Sequence, residues 1–262
     1  MTTSLMYNPS NEILMNRAQL MQVPTPNGTG RFHKPVPFGE YAEVVANNIG
    51  HTGFEITAEE YAVDNNGNKF FGMMEIAPIA LEGEYLPAQD FKFNIGLRGS
   101  HDQSIPRGMT LGTRVMVCSN LCFHGNMGTV TTKQTTNVWD RLPLMVSNAL
   151  QRLPEMMEVQ QATFDAYKNH EFKNPRHGDA VLVEIYRQGG LTAAQLGTAI
   201  QQWDTPAHDE HAQYGWSAWR LLNAATEALK PTGNNVNMDL IRSRSEKTTG
   251  FINKVIGLQN AA

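Results

Sequence analysis

Cysteine is nearly absent from this chain of 262 residues: only Cys118 and Cys122 occur. A disulfide four residues apart would strain an extended segment, so reduced thiols and a cytoplasmic setting are expected. No apolar run approaches the roughly 20 residues that span a bilayer, so no membrane partner is expected. The first residues, MTTSLMYNPSNEILMNR, lack a basic region followed by an apolar one, so a signal peptide is not expected either. Walker loop, GxGxxG turn, HExxH helix and nucleophile elbow are all missing from the sequence. With them go the commonest enzyme classes, and no cofactor is expected. Internal repeats and low-complexity tracts are absent too. An excess of positive charge is also lacking: the net charge of −4 and pI near 6.1 argue against an unselective nucleic-acid binder.

What is present is an ordinary soluble composition, 41% hydrophobic and 18% charged, long enough to bury a core. The charge is unevenly spread. Glu40 to Asp90 holds ten acidic residues against one basic, Lys69. Phe91 to Arg141 holds six basic residues (Lys92, Arg98, Arg107, Arg114, Lys133 and Arg141) against Asp102 and Asp140. One reading is a basic surface suited to phosphates. The other is acidic and basic strands that pair across one sheet and neutralise each other.

Periodicity divides the chain into strands first and helices after. Asn11 to Gln22 carries an imperfect helical stripe and suggests a short arm. Pro24, Pro26, Gly28 and Gly30 mark a connector. Phe38 to Asn48 has its apolar residues at helical spacing. Phe54–Val63 and Lys69–Ile79 flank Asp64-Asn65-Asn66-Gly67-Asn68, a strong hairpin signal. Phe91 to Ile95 alternates, Arg98 to Asp102 has turn composition, and two further strands run from Met109 to Val117 and from Gly128 to Lys133. Helices are expected over Val138–Tyr167, kinked or restarted at Pro143 and Pro154, then Asp179–Arg187, Thr192–Gln202, Ala212–Leu229 and Met238–Leu258. The fold class is therefore α+β: an antiparallel meander of about five strands followed by a helical C-terminal half packed on it. Residues 1–34 form an arm and linker, and 35–262 one domain, sheet-rich to 135 and helical beyond.

The chemistry-bearing residues concentrate in the central block. Ser100-His101-Asp102 invites a hydrolase reading, but three consecutive residues cannot place nucleophile, base and orienter in series. Turn and capping roles suit Ser100, Asp102 and Ser104 better. The functional alternative is a loop whose Arg98, His101 and Arg107 donate to a phosphate. Cys118, Cys122 and His124 have the wrong spacing for a zinc knuckle, and no metal site is expected. Asn120 and Asn126 sit where a strand turns and suit a structural role. His208 and His211, three apart, stand at a helix start, and Trp216 and Trp219 read as core anchors. Arg242, Arg244, Lys247 and Lys254 give the last helix a basic face, solvated or a second nucleic-acid contact.

The strings GLRGSHDQS (Gly96–Ser104) and GTRVxVCSNLCFxGN (Gly112–Asn126) resemble a widespread family of phage and plasmid proteins catalogued as a domain of unknown function. Its members show a Leu-Arg-x-Ser-His-Asp stretch followed by Val-Cys-x-Asn-Leu-x-Phe. The segment from Trp216 to Lys230 is similar to that family's C-terminal half, so the resemblance covers roughly residues 35–260. It implies a mobile-element origin and a bacterial host cell. The second cysteine departs from the family pattern, which makes Cys122 incidental and Cys118 a buried small hydrophobe. A meander packed by a long helix also resembles the single-strand annealing recombinases, whose rings hold DNA in a basic groove.

The leading expectation is thus a protein that binds nucleic acid, single-stranded DNA in particular, in replication or recombination, and that assembles as a homo-oligomer. Its contacts would be Arg98, His101, Arg107, Arg114 and Lys133 on phosphates, with Phe123 as a stacking face. The alternative is a factor that modulates a host protein through the acidic hairpin between Phe54 and Ile79.

Overall fold

In the hairpin, Asn66-Gly67 turns the chain between β2 (Phe54–Asp64) and β3 (Lys69–Pro78). Gly67 takes φ of +68°, and the Asp64 carboxylate accepts from the N–H groups of Asn68 (2.6 Å) and Lys69 (2.9 Å). The structure, a computed structural model, describes residues 12–79, 91–115, 121–122, 129–230 and 238–258. The chain divides into two compact units, one of residues 1–112 with 127–154, the other of 113–126 with 155–262.

Among the described residues the sheet has seven strands. They run in sequence order from β1 (Glu12–Met15) through β2, β3, β4 (Phe91–Ser100) and β5 (Arg107–Val115) to β6 (Leu121–Cys122), and β7 (Thr129–Thr132) also pairs with β5. The antiparallel meander is as expected, with one strand more along its path than the five predicted. The strands not expected are the two-residue β6, in the segment read as an interruption, and β1, from the segment read as a helical arm. Ile13 pairs with Val63 and Met15 with Tyr61, and only then does Asn16 cap a single turn of helix, α1 (Arg17–Leu20). Four residues are too few for a period of 2 to show against a period of 3.6. In β4, pairing continues to Ser100, past the turn composition that begins at Arg98, because Gly99 and Ser100 face Phe70 and Lys69 of β3.

One sheet face carries Tyr61, Phe70, Met74, Phe93, Ile95 and Leu97, all buried. Helix α2 (Phe38–Ile49) lies on it, with Phe38 stacked 5.1 Å from Phe70 and Tyr41 meeting the same ring edge-on at 6.3 Å. Full burial of a ring such as Phe70 contributes about 1.5–3 kcal/mol. Helix α3 (Val138–Leu150) packs on α2 and β7 and continues through Pro143, which leaves the Trp139 carbonyl without its helical donor. Charges do pair within this unit: Lys92 with Glu75 across β3 and β4, and Arg17 with Glu59.

The second unit is helical: α4 (Leu153–Asn169), α5 (Pro175–Arg187), α6 (Ala193–Asp204), α7 (Asp209–Ala212), α8 (Ala218–Ala228) and α9 (Met238–Val255). Trp219 is a core anchor as expected, edge-on to Phe164 at 4.9 Å. Trp216 is not on a helix. Gly215 at φ +59° and the cap Ser217 split the predicted helix into α7 and α8 there. No helix among the described residues is long and apolar enough to cross a membrane.

Candidate functional site

The polar block at the β4–β5 turn folds mostly inward. The Ser100 hydroxyl donates to the Ile105 carbonyl (3.2 Å) and accepts from the Ile105 N–H (2.8 Å), closing the turn. Asp102 accepts from the N–H (3.0 Å) and hydroxyl (2.6 Å) of Ser104. Those hydroxyl bonds, with help from Ser100, hold its carboxyl down at about 2. The His101 ring points the other way, stacked on Phe38 at 4.0 Å. Nucleophile, base and acid are therefore not in line, and the turn is a structural one.

Arg107 crosses the sheet face above Gly99, at the only kind of residue that leaves it room, since a Cβ there would collide with the guanidinium. Its Nη2 donates to the Val36 carbonyl and lies 3.5 Å from His101 Nδ1. The guanidinium carbon sits 4.4 Å from the Phe38 ring centre and 5.8 Å from that of Tyr41. Burial pushes the Arg107 pKa down, and burial with the neighbouring Arg107 and His33 charges lowers His101 to about 4. Burial likewise raises the Tyr41 phenol.

The six predicted contacts consequently separate. His101 (3% exposed) and Arg107 (0%) are core residues. This corrects the expectation that they meet phosphates at the surface: the aromatic surface of α2 outcompetes water for both. Arg98 is half-buried on the opposite sheet face, where its Nε would lie 3.3 Å from a Cβ on Gly108. Lys133 is exposed. Phe123 and the Arg114 side chain lie outside the described residues, as do Cys118, Asn120, His124 and Asn126. Among the described residues no cluster of three His, Cys, Asp or Glu could hold a metal ion.

A different set of cations does come together. The connector after Gly30 bridges onto the exit of β7: His33 pairs with Thr135, and the Lys34 N–H donates to the Gln134 carbonyl (3.0 Å). The Gln134 side chain accepts from the Val36 N–H (2.8 Å) and donates to the Ser100 carbonyl (2.6 Å). From the start of α3, Arg141 reaches back to the Thr135 hydroxyl (2.9 Å). This strip exposes Arg31, Lys34, Lys133 and Arg141. In the same segment Phe32 is 66% exposed, with the Arg31 guanidinium 5.5 Å from its ring centre. Four exposed cations on adjoining segments, with an open aromatic ring beside one of them, can hold phosphates and stack a base. Sequence reading named Lys133 of this set as a phosphate contact and Arg141 only as part of a charge count. Arg31, Phe32 and Lys34 sit in a Pro/Gly-marked connector, and the available signal was their own alternation of aromatic and basic residues.

Against family models, curated proteins and solved structures, the chain has no match.

Proposed function

We propose that the chain is a phage or plasmid protein of the family its Leu-Arg-x-Ser-His-Asp and Val-Cys-x-Asn-Leu-x-Phe stretches resemble, and that it binds single-stranded DNA in replication or recombination. The observation that carries the binding is the strip of Arg31, Phe32, Lys34, Lys133 and Arg141. Lysine and arginine neutralise backbone phosphates, while an exposed ring favours a strand whose bases are unpaired. An annealing role in the bacterial cytoplasm, with assembly into a homo-oligomer, completes the reading. The acidic hairpin has no comparable support as a partner surface, because Glu59 and Glu75 are spent on Arg17 and Lys92.

The test is fluorescence anisotropy with labelled single-stranded and duplex DNA, at about 50 and 200 mM salt. Wild type is expected to prefer the single strand and to weaken steeply with salt. Lys34→Glu with Lys133→Glu should remove most of the binding, and Phe32→Ala should erase the preference. Failure to bind at the lower salt, or indifference to these changes, would refute the proposal.

A further inference from the structure

Among the described residues only one other than glycine holds a positive φ: Gln103, at +65°, in the β4–β5 turn. A left-handed backbone is costly for a residue with a Cβ, and glycine would adopt it freely. The turn itself does not call for glutamine. It is closed by the Ser100–Ile105 and Asp102–Ser104 bonds, none of which uses the Gln103 side chain. A residue kept against its own backbone preference points to a contact outside the turn.

That contact lies in the connector, 74 residues earlier: Gln103 donates from Nε2 to the Thr29 hydroxyl at 3.0 Å. The Thr29 N–H donates to His33 Nδ1 (3.1 Å), so that nitrogen carries no proton, and the Thr29 hydroxyl, 2.9 Å away, donates to it as well. Lone pairs of the hydroxyl oxygen are thereby left for Gln103. The bonds run in one direction, from Gln103 through Thr29 to His33, which itself bridges Thr135. Over this stretch the connector makes a tight loop. Gly30 takes φ of +75°, and a Cβ on Gly28 would meet the His33 carbonyl oxygen at 1.9 Å. Arg31 and Phe32 are carried on the loop, and Lys34 follows it. The loop is held at its far end by the His33 and Lys34 contacts to β7's exit, and at its near end by Gln103.

We propose that Gln103 is a positioning residue for the strip: it latches the connector loop to the β4–β5 turn and so sets the affinity of Arg31, Phe32 and Lys34 for a single strand. The affinity rests on the nucleic-acid reading; the latch does not.

Gln103→Gly separates the latch from stability, because it removes the amide and the unfavourable backbone together. In the full chain it should leave Tm within about 2 °C of wild type. Binding of single-stranded DNA should weaken about fivefold, the equilibrium factor of one net hydrogen bond. Trypsin cleavage of the Arg31–Phe32 bond should speed up by a similar factor, about fivefold, without DNA present. Thr29→Val deletes the acceptor and should match both effects, and the double variant should be no worse than either single change. A residue that only shaped its own turn would move Tm and leave the distant cleavage alone. In a protein that binds DNA, unchanged affinity or cleavage, fully additive effects, or a Tm lowered by more than about 5 °C would overturn the proposal. A wild type that binds no DNA overturns the nucleic-acid reading and the affinity half of the proposal with it, while unchanged cleavage overturns the latch itself.

Discussion

His101 shows how far one side chain's setting departs from its sequence context. Between Ser100 and Asp102 it looks catalytic, yet it is a neutral ring in an aromatic stack. Its pKa of about 4 against an ordinary 6.5 makes a pH prediction. As pH falls below 6.5 the unfolded chain takes up a proton that the folded chain refuses until about 4. Stability is therefore full above 6.5, declines down to about 4 and gains no further loss from this group below that. The decline should be on the order of 2 kcal/mol, and urea unfolding across this range should show it flattened in His101→Phe. Asp102 has the opposite chemistry: its contribution holds above 3.8 and is lost toward 2. Gly99 matters for space rather than for backbone freedom. Gly99→Ala should cost about 2 kcal/mol in thermal unfolding, because the buried Arg107 it would strike cannot swing into solvent.

Elements were legible where a local rule fixes them. Asp64 and Gly67 make the hairpin, and Thr192 with Gln195 forms the capping box that starts α6 where predicted. They were illegible where distant parts decide. β1 exists because Tyr61 to Asp64 offers an edge, and the candidate strip exists because His33 meets Thr135. Charge counting also placed Arg107 outside, since a pattern of signs cannot distinguish an arginine on water from one on a ring. Helix α6 ends in a contact of the same hidden kind. Arg220, over Trp216 at 4.2 Å, donates from Nε to the Trp203 carbonyl (2.8 Å) and from Nη2 to that of Asp204 (3.0 Å). Arg220→Met should leave both carbonyls wanting and lower stability by about 2 kcal/mol, measured by chemical denaturation.

For the whole molecule, a net charge of −4 sets the background against which a local basic strip acts. Long-range attraction to a polyanion is then weak, and binding should depend on close contact at the strip. Each phosphate contact removed should flatten the plot of log K against log salt by about 1. Lys34→Ala and Lys133→Ala, made singly and measured across a salt series, should each show that change, whereas Lys254→Ala in the helical unit should not. An unchanged slope in both strip variants would place the contacts elsewhere.

Gln134 has a consequence for the order of events during synthesis. Its amide holds Val36, 98 residues earlier, and Ser100, 34 residues earlier. A nascent chain that has emerged only as far as the β4–β5 turn has made Phe32 and Lys34 but has nothing to fix them on. The strip therefore matures late, after a long loop has closed around the sheet. A product truncated just before Gln134 would carry all seven described strands and none of the assembled surface.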